Sequence, residues 1–185
     1  MPDLAGNPIP RFYGFTGMID DNGATRLAAA LNQAVNDGCD EAHLCISSLG
    51  GFVHSGIYLY NHIRALPLRV VAYNAGTVAS IAVAVFVAAD ERYCSAHGVF
   101  MIHPTSLSPQ AGMTAPLLQS SLNGALADDA RTENILRERA SIPEDSLAAR
   151  RSKDVYISAA DAVRYGLAGE VREFALPKGH QLFQV

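Results

Sequence analysis

The stretch 69–89 limits the possible folds of this chain more than any other, because it is long, apolar and carries only one charged residue, Arg69. It opens with Val70 and Val71, a β-branched pair that is typical of a buried strand. Asn74 and Gly76 then break the extended pattern, and a helix of small residues is predicted to follow. The stretch approaches the length of a membrane span, but its polar residues favour a buried strand followed by a buried helix.

Ser80 is the only hydroxyl residue inside the predicted helix, and it lies close to the start of that helix. Amide groups at a helix start lack intrahelical partners, and the positive end of the helix dipole favours negative charge there, which suits a nucleophilic serine. A small core residue that lets the helix approach a sheet is the other interpretation. The stretch alone favours this packing role, so the chemistry of Ser80 depends on the motifs around it.

Strands and helices alternate along the rest of the chain. Extended segments are predicted at 11–19, 43–47, 92–94, 99–102, 155–157 and 171–174, and helices after Asp20 or Asp21, from about 52 to 66, from 114 to 140, after Ser141 and after Ser158. This order predicts an α/β fold built from right-handed βαβ units on a mainly parallel sheet. Sites in such sheets lie at the carboxyl ends of strands, where Gly50–Gly51 and residues 76–80 are expected.

Length and composition favour one domain over residues 1–185, with a short N-terminal segment at 1–10 and a C-terminal tail at 175–185. The hydrophobic content of 49% and charged content of 17% exclude a disordered chain. A net charge of −4 argues against nucleic acid or an anionic membrane as the main partner. The N-terminus has no signal-peptide pattern, and the three cysteines form no paired framework or metal-ligand spacing. We therefore expect a soluble, cytoplasmic protein that needs no cofactor and no metal.

The chain contains candidates for every part of a serine hydrolase site. Such a site needs a base for the hydroxyl proton, a group that orients the base, and donors for the developing oxyanion. His103 closes a predicted strand and Asp154 precedes another, while Gly50–Gly51 and the N–H of Ile81 offer backbone donors. Each feature alone is also common in purely structural roles, and the spacing gives no distance between these groups.

Four motifs together resemble the Clp protease proteolytic subunit over about residues 15–170. They read SLGGFVHSGIY at 48–58, GTVAS at 76–80, FMIHP at 100–104 and KDVYISAADAVRYGL at 153–167. Their order and spacing carry the resemblance, because each motif alone is unspecific.

The resemblance implies Ser80 as the nucleophile, His103 as general base and then general acid, and Asp154 as the carboxylate that orients His103. It also implies an oxyanion hole formed by the amides of Gly51 and Ile81, with Gly50 supporting the substrate strand. These assignments define a serine endopeptidase that acts through an acyl-enzyme intermediate.

The implied fold is the ClpP/crotonase-type spiral of repeated ββα units, with a long projecting handle helix at about 114–140. The implied assembly is a homo-oligomer, a heptameric ring or double ring, whose serines face an internal chamber that admits peptides or unfolded polypeptides. Family triads depend on this assembly for their alignment.

Departures from the family pattern concern the turn at the oxyanion hole, the coupling of rings and the docking of an ATPase. Leu49 stands where proline is usual, and Ser152–Lys153 replaces an acidic–arginine pair that helps to couple rings. His43 and Cys45 occupy places that often hold two aromatic residues of the docking pocket for a Clp ATPase. We therefore expect a peptidase that does not dock a standard Clp ATPase, or docks an unusual one.

Two other functions are compatible with the sequence. A crotonase-like enzyme would use the two amides to stabilise a thioester enolate of an acyl-CoA, without a Ser-His-Asp set. A structural or binding protein of the same family would carry an unassembled triad.

The remaining titratable residues are expected to be structural or solvated. They are the surface histidines His54 and His62, a charged helix face with Asp128, Asp129 and Glu133, a buried thiol at Cys94, and Arg150–Arg151 at a solvated helix end or an interface.

Overall fold

The structure is a computed structural model that describes residues 10–185. The N-terminal segment predicted at 1–10 therefore lies outside the described residues, except for Pro10, which begins the first strand.

Strands and helices alternate through most of the described chain. In chain order they are β1 (Pro10–Thr16), α1 (Asp21–Asn36), β2 (Glu41–Ser48), α2 (Val53–Ala65), β3 (Arg69–Ala79), α3 (Ile81–Val87), β4 (Glu91–Cys94), β5 (Val99–Ile102), α4 (Ala115–Arg139), α5 (Glu144–Arg150), β6 (Val155–Ser158), α6 (Ala159–Arg164), β7 (Glu170–Val171) and β8 (Leu182–Gln184). The predicted α/β alternation is confirmed.

One sheet contains all eight described strands, in the order β6-β5-β3-β2-β1-β8, with β4 paired to β3 and to β7. Every pair is parallel except β5 with β6, as expected for strands joined by crossover helices. β3 pairs with β2 along its first part and with β5 along its last three residues. The ends of β2, β3 and β5 therefore lie side by side.

The short helix α3 forms the centre of the core. All seven of its residues are buried and apolar, and they pack closely in the core. Phe86 of this helix meets Phe100 of β5 edge to face, with ring centroids 5.0 Å apart. The junction at the start of α3 is therefore fixed by the buried helix and by its neighbours β3 and β5.

β3 is longer than the sequence predicted. The extended conformation continues through Ala79, so Ser80 lies at the junction of strand and helix and not inside the helix. The break expected near Asn74 does not occur. The Asn74 side chain donates to the carbonyl of Val99 and accepts from the amide of Gly76, and these hydrogen bonds hold the segment in the extended strand. A shift of register in the pairing with β2 accommodates the longer strand.

The helix starts after β1 and β6 are capped as their sequences indicate. Asp20 accepts from the amide of Gly23 at the start of α1, and Ser158 accepts from the amide of Asp161 at the start of α6. The start predicted at Ser141 is wrong by two residues, because Pro143 precedes α5 without a side-chain cap.

The chain after residue 170 also differs from the prediction. The last predicted strand is only the two residues of β7, and the predicted tail at 175–185 contains β8, which pairs in parallel with β1. Phe183 of this strand lies beside Tyr13 of β1, with ring centroids 6.0 Å apart. Part of the tail therefore extends the sheet.

The helix α4 occupies the predicted position of the handle, and its first part is largely solvated. From Ala115 to Gly124 every residue is exposed except the half-buried Ser121. The exposed apolar side chains are those of Leu117, Leu118, Leu122 and Leu126. Burial begins at Ala125, and Ile135 and Leu136 near the end of the helix join the core.

Among residues 10–185, none of the helices combines the length and the apolar character needed to cross a membrane. The same residues bring no three His, Cys, Asp or Glu side chains together in a way that could hold a metal ion.

Candidate active site

Ser80 has a backbone conformation that is unusual for any residue other than glycine. Its φ of 57° and ψ of −133° occur at the sharp turn between β3 and α3, and it is the only non-glycine residue with positive φ among the described residues. Such conformations cost about 1–3 kcal/mol and persist where the surrounding structure holds them. A strained serine between strand and helix presents its hydroxyl at the edge of the sheet, as a nucleophile elbow does.

His103 lies next to Ser80 because β5 lies next to β3. Ala79 pairs with Met101, and the amide of Ser80 donates to the carbonyl of Met101 at 2.8 Å. His103 follows directly after β5, and its Nε2 lies 2.8 Å from Oγ of Ser80. This distance is that of a hydrogen bond, and a serine nucleophile and its base need such a contact between Oγ and a ring nitrogen.

The turn after β2 fits closely around Ser80, and only glycine fits there. Gly50 has a φ of +95°, and a Cβ at this position would lie 2.6 Å from Cβ of Ser80. A Cβ at Gly51 would lie 2.3 Å from the carbonyl oxygen of Ile19, to which Phe52 donates at 2.8 Å. The turn is therefore held against Ser80 on one side and Ile19 on the other.

Two backbone amides beside Ser80 are available to a ligand. Ile81 is the first residue of α3, so its N–H has no intrahelical partner. Neither this group nor the N–H of Gly51 makes a hydrogen bond within residues 10–185. Free amides that flank a nucleophile can stabilise a developing oxyanion.

Asp154 is not joined to His103. It is exposed in the segment between α5 and β6, and its carboxylate makes no hydrogen bond or ion pair within the described part of the chain. Nδ1 of His103 likewise lacks a hydrogen-bond partner among residues 10–185. The structure thus brings together Ser80, His103, the glycine turn and the two amides. It shows no hydrogen bond between His103 and Asp154, although the antiparallel pairing of Ile102 with Val155 places the two residues next to each other along the chain pair.

A buried charge cluster on α4 was not predicted from the sequence. Glu133 was expected on a solvated face, but it is buried and accepts hydrogen bonds from Arg137, Arg150 and Arg151. The hydrogen bonds from Arg151 and Arg137 hold the pKa of Glu133 below its ordinary value despite burial. The only sequence signal for this cluster is the adjacent pair Arg150–Arg151 at the end of a short helix, and this pair does not indicate which acids it meets.

Arg150 is the most buried member of the cluster. Its side chain is 2% exposed, and it donates to Asp129 and Glu133 at 3.4 Å each. Burial lowers the pKa of this guanidinium. Asp129 also accepts from the backbone N–H and the hydroxyl of Thr105, at 2.7 and 3.0 Å. The predicted solvated or intermolecular role of Arg150 is thus wrong within this chain.

A cleft of about 750 Å³ runs past Ser80 and His103. Its lining includes the turn from Leu49 to Val53 and Ser121, Gly124 and Ala125 of α4. Met18, Leu49 and Phe52 are exposed at the same cleft. An open cleft with apolar side chains and a free glycine backbone suits an extended peptide.

The two positions that the resemblance assigns to ATPase docking are half-buried. His43 stacks on Phe12, with ring centroids 4.6 Å apart, and contacts the hydroxyl of Tyr73 at 3.0 Å. Phe174 and His180 from the C-terminal segment also contact Phe12. Part of this aromatic cluster is therefore covered by the chain itself.

The expectations for two isolated side chains are confirmed. His54 is solvated, with 68% of its side chain exposed, and it contacts Asp21 at 3.0 Å. Cys94 is buried, and burial raises the pKa of its thiol to about 11.

Comparison with known proteins gives one consistent family. The model of the Clp protease family matches residues 11–174. The chain is 26% identical over 170 residues to ATP-dependent Clp protease proteolytic subunit 2 of Pseudomonas aeruginosa, covering 88% of this chain and 83% of that protein. It is 29% identical over 157 residues to the ATP-dependent Clp protease proteolytic subunit of Paracoccus denitrificans, covering 84% and 78%.

A solved structure of a ClpP1 mutant from Listeria monocytogenes has the same fold. The TM-score is 0.78 at 20% sequence identity, with 89% of this chain and 92% of that chain covered. The predicted ClpP-type fold is confirmed by this likeness.

Proposed function

The chain belongs to the Clp protease family, and we propose that it is a serine endopeptidase that hydrolyses peptides or unfolded polypeptides. The observation that carries the proposal is the 2.8 Å contact between Oγ of Ser80 and Nε2 of His103. The strained backbone of Ser80 supports it, because such strain is retained where function requires it.

In the proposed reaction, His103 takes the proton of Ser80 as Oγ attacks the carbonyl carbon of the scissile peptide bond. The oxygen of the tetrahedral intermediate receives hydrogen bonds from the amides of Gly51 and Ile81. His103 then gives its proton to the leaving amine, and an acyl-enzyme remains. Water, activated by the same histidine, hydrolyses this ester and restores Ser80.

Asp154 is proposed to orient His103 only after the segment around it moves. An orienting carboxylate must accept from the Nδ1–H of the histidine, and this nitrogen is free of partners within residues 10–185. Asp154 is exposed and its carboxylate is unpaired there, so no side-chain hydrogen bond has to break before it turns toward His103. Assembly of several copies is the event that we propose to drive it.

The assembly is proposed to use α4. Leu118, Leu122 and Leu126 recur every four residues and are 42–57% exposed, so they form one apolar row on a solvated helix. A second copy of the chain would cover this row. A heptameric ring or double ring that encloses the clefts is the arrangement that family membership favours, and such a chamber would restrict substrates to peptides and unfolded chains.

Docking of a standard Clp ATPase is proposed to be weak or absent. His43 and Cys45 replace the expected aromatic residues, and Phe174 and His180 of the same chain contact Phe12 beside them. Tight, ATP-dependent capture of a Clp unfoldase by the purified protein would contradict this proposal.

Two further candidates each rest on one observation. The free amides of Gly51 and Ile81 would equally stabilise the enolate of an acyl-CoA thioester, as in crotonase-like enzymes. The unpaired state of Asp154 would suit a structural or binding protein with an unassembled triad.

Hydrolysis assays separate these candidates. We expect the wild-type protein to cleave fluorogenic peptides or an unfolded protein such as casein, and Ser80→Ala to lose this activity. Turnover of an acyl-CoA that survives Ser80→Ala would favour the crotonase-like function. An assembled wild-type protein that processes neither substrate would favour the binding function.

A further inference from the structure

The loop that follows His103 is attached to the rest of the protein at very few points. β5 ends at Ile102, so His103 and the residues after it lack a strand partner. Within the described chain, segment 103–109 makes three hydrogen bonds: one joins His103 to Ser80, and the other two join Thr105 to Asp129. The position of the histidine ring therefore depends on how Thr105 is held.

Asp129 holds Thr105 with both hydrogen bonds on the same carboxylate oxygen. Oδ1 accepts from the backbone N–H at 2.7 Å and from the hydroxyl at 3.0 Å. Hydrogen bonds to a carboxylate are stronger than those between neutral groups, and two bonds to one residue fix its direction as well as its distance. Thr105 is two residues from His103, so this contact acts on the histidine through one intervening proline.

Arg150 in turn holds Asp129. Its buried guanidinium donates to Oδ1 of Asp129 at 3.4 Å and is paired to Glu133 one turn further along α4. Deeply buried cations keep their position only when carboxylates compensate their charge. The Asp129 carboxylate that accepts from Thr105 is thus also held by Arg150, the last residue of α5.

We propose that Asp129 is a positioning residue that keeps Nε2 of His103 within reach of Ser80 by anchoring Thr105. The proposal rests on the proposed peptidase function, and it assigns to Asp129 no contact with substrate. Because α4 also carries the exposed apolar row, the same helix would connect association of copies with the placement of the catalytic base.

Labelling of Ser80 by a fluorophosphonate measures the effect directly, because the rate depends on activation of Ser80 by His103. Asp129→Ala removes the anchor, so labelling of this variant should be about tenfold slower or more. Displacements of catalytic groups near 1 Å lower reaction rates by up to about a hundredfold. In peptide hydrolysis the same variant should lower kcat and leave KM within about twofold of wild type.

Thr105 supplies variants that preserve folding. Thr105→Val keeps the shape and the backbone N–H bond but removes the hydroxyl bond, so labelling should slow severalfold. Thr105→Ser keeps both bonds and should label like wild type. Glu138→Gln is the matched control on α4, because it removes an exposed carboxylate that makes no ion pair within residues 10–185 and leaves Arg150 and the Thr105 contacts in place.

Hydrogen–deuterium exchange of a peptide covering 103–109 provides a readout that does not need activity. Exchange should rise in Asp129→Ala and in Thr105→Val, and stay unchanged in Glu138→Gln.

Labelling of Thr105→Val at the wild-type rate, or of a folded Asp129→Ala at that rate, would overturn the positioning role. A wild-type protein that is assembled but unlabelled would overturn the peptidase function itself, and with it a role for Asp129 in catalysis. The exchange data would then show separately whether the anchor exists.

Discussion

Oγ of Ser80 lies 2.8 Å from Nε2 of His103, although the two residues are separated by 23 positions in the chain. The contact follows from the sheet, because β3 and β5 are neighbours and both end at this edge. The glycine turn after β2 ends beside them. Three strand ends thus form the candidate site, which is the usual place for a site in a parallel sheet.

Gly50→Ala should abolish most of the peptidase activity. The added Cβ would lie 2.6 Å from Cβ of Ser80, and something must shift to relieve the clash. We expect kcat/KM to fall by about a hundredfold or more, as for the loss of a group that stabilises the oxyanion.

Gly38→Ala is the matched control for this substitution. Gly38 also has positive φ, at +76°, but a Cβ there would meet no atom within 4 Å. In both variants alanine at positive φ should lower the stability of the fold by a similar amount, about 1 kcal/mol. Equal loss of activity in the two variants would show that backbone strain, and not the approach to Ser80, explains the effect.

Leu122→Lys should prevent assembly. The side chain is 44% exposed in the middle of the apolar row, and a buried lysine at an interface would be costly. Native mass spectrometry should show a shift from a large oligomer to small species, with loss of peptide hydrolysis.

Ala127→Lys, at an exposed position of the same helix away from the row, should leave the oligomer intact. Wild-type oligomers in Leu122→Lys would exclude the leucine row as the interface.

Arg150→Met should destabilise the protein far more than Arg151→Met. Arg150 is 2% exposed, and its replacement leaves the charges of two carboxylates less compensated. This loss should lower the free energy of unfolding by about 3 kcal/mol. Arg151 is 59% exposed, and its loss should cost less than about 1 kcal/mol. Urea denaturation of the two variants measures the difference, and equal midpoints would contradict a buried charge cluster.

The pKa of Glu133 predicts how stability depends on pH. This pKa is lowered in the folded state by the hydrogen bonds from Arg151 and Arg137, so the carboxylate stabilises the fold above its ordinary pKa of 4.5. That contribution is lost as the pH falls below 4.5 through the folded value.

Glu133→Gln should therefore lower stability at pH 7 and flatten the loss of stability in acid. Glu138→Gln, at an exposed position that makes no ion pair within residues 10–185, should leave the wild-type curve unchanged. Parallel acid curves for wild type and Glu133→Gln would show that other groups cause the pH dependence.

The sequence predicted what depends on local pattern. The alternation of strands and helices, the cap at Asp20 and the length of α4 follow from periodicity and capping residues, and the structure has them. The position of Ser80 was predicted only approximately. Asn74 and Gly76 are typical of a turn, but pairing of β3 with β5 keeps this segment extended, so tertiary contacts overrode local preference.

The charge cluster could not be predicted because it depends on contacts between distant elements. Nothing local marks Glu133 as buried, since it lies on a helix with many charges. Only the packing of α5 against α4 brings Arg150 to Asp129 and Glu133. The contact of Asp129 with Thr105 likewise joins elements that are distant in the sequence.

The central claim is an activated Ser80, and intact-mass spectrometry after fluorophosphonate treatment tests it most directly, with native mass measured alongside. We predict one adduct on the wild-type protein and none on Ser80→Ala. An assembled wild-type oligomer without an adduct, or an equal adduct on Ser80→Ala, would contradict the account.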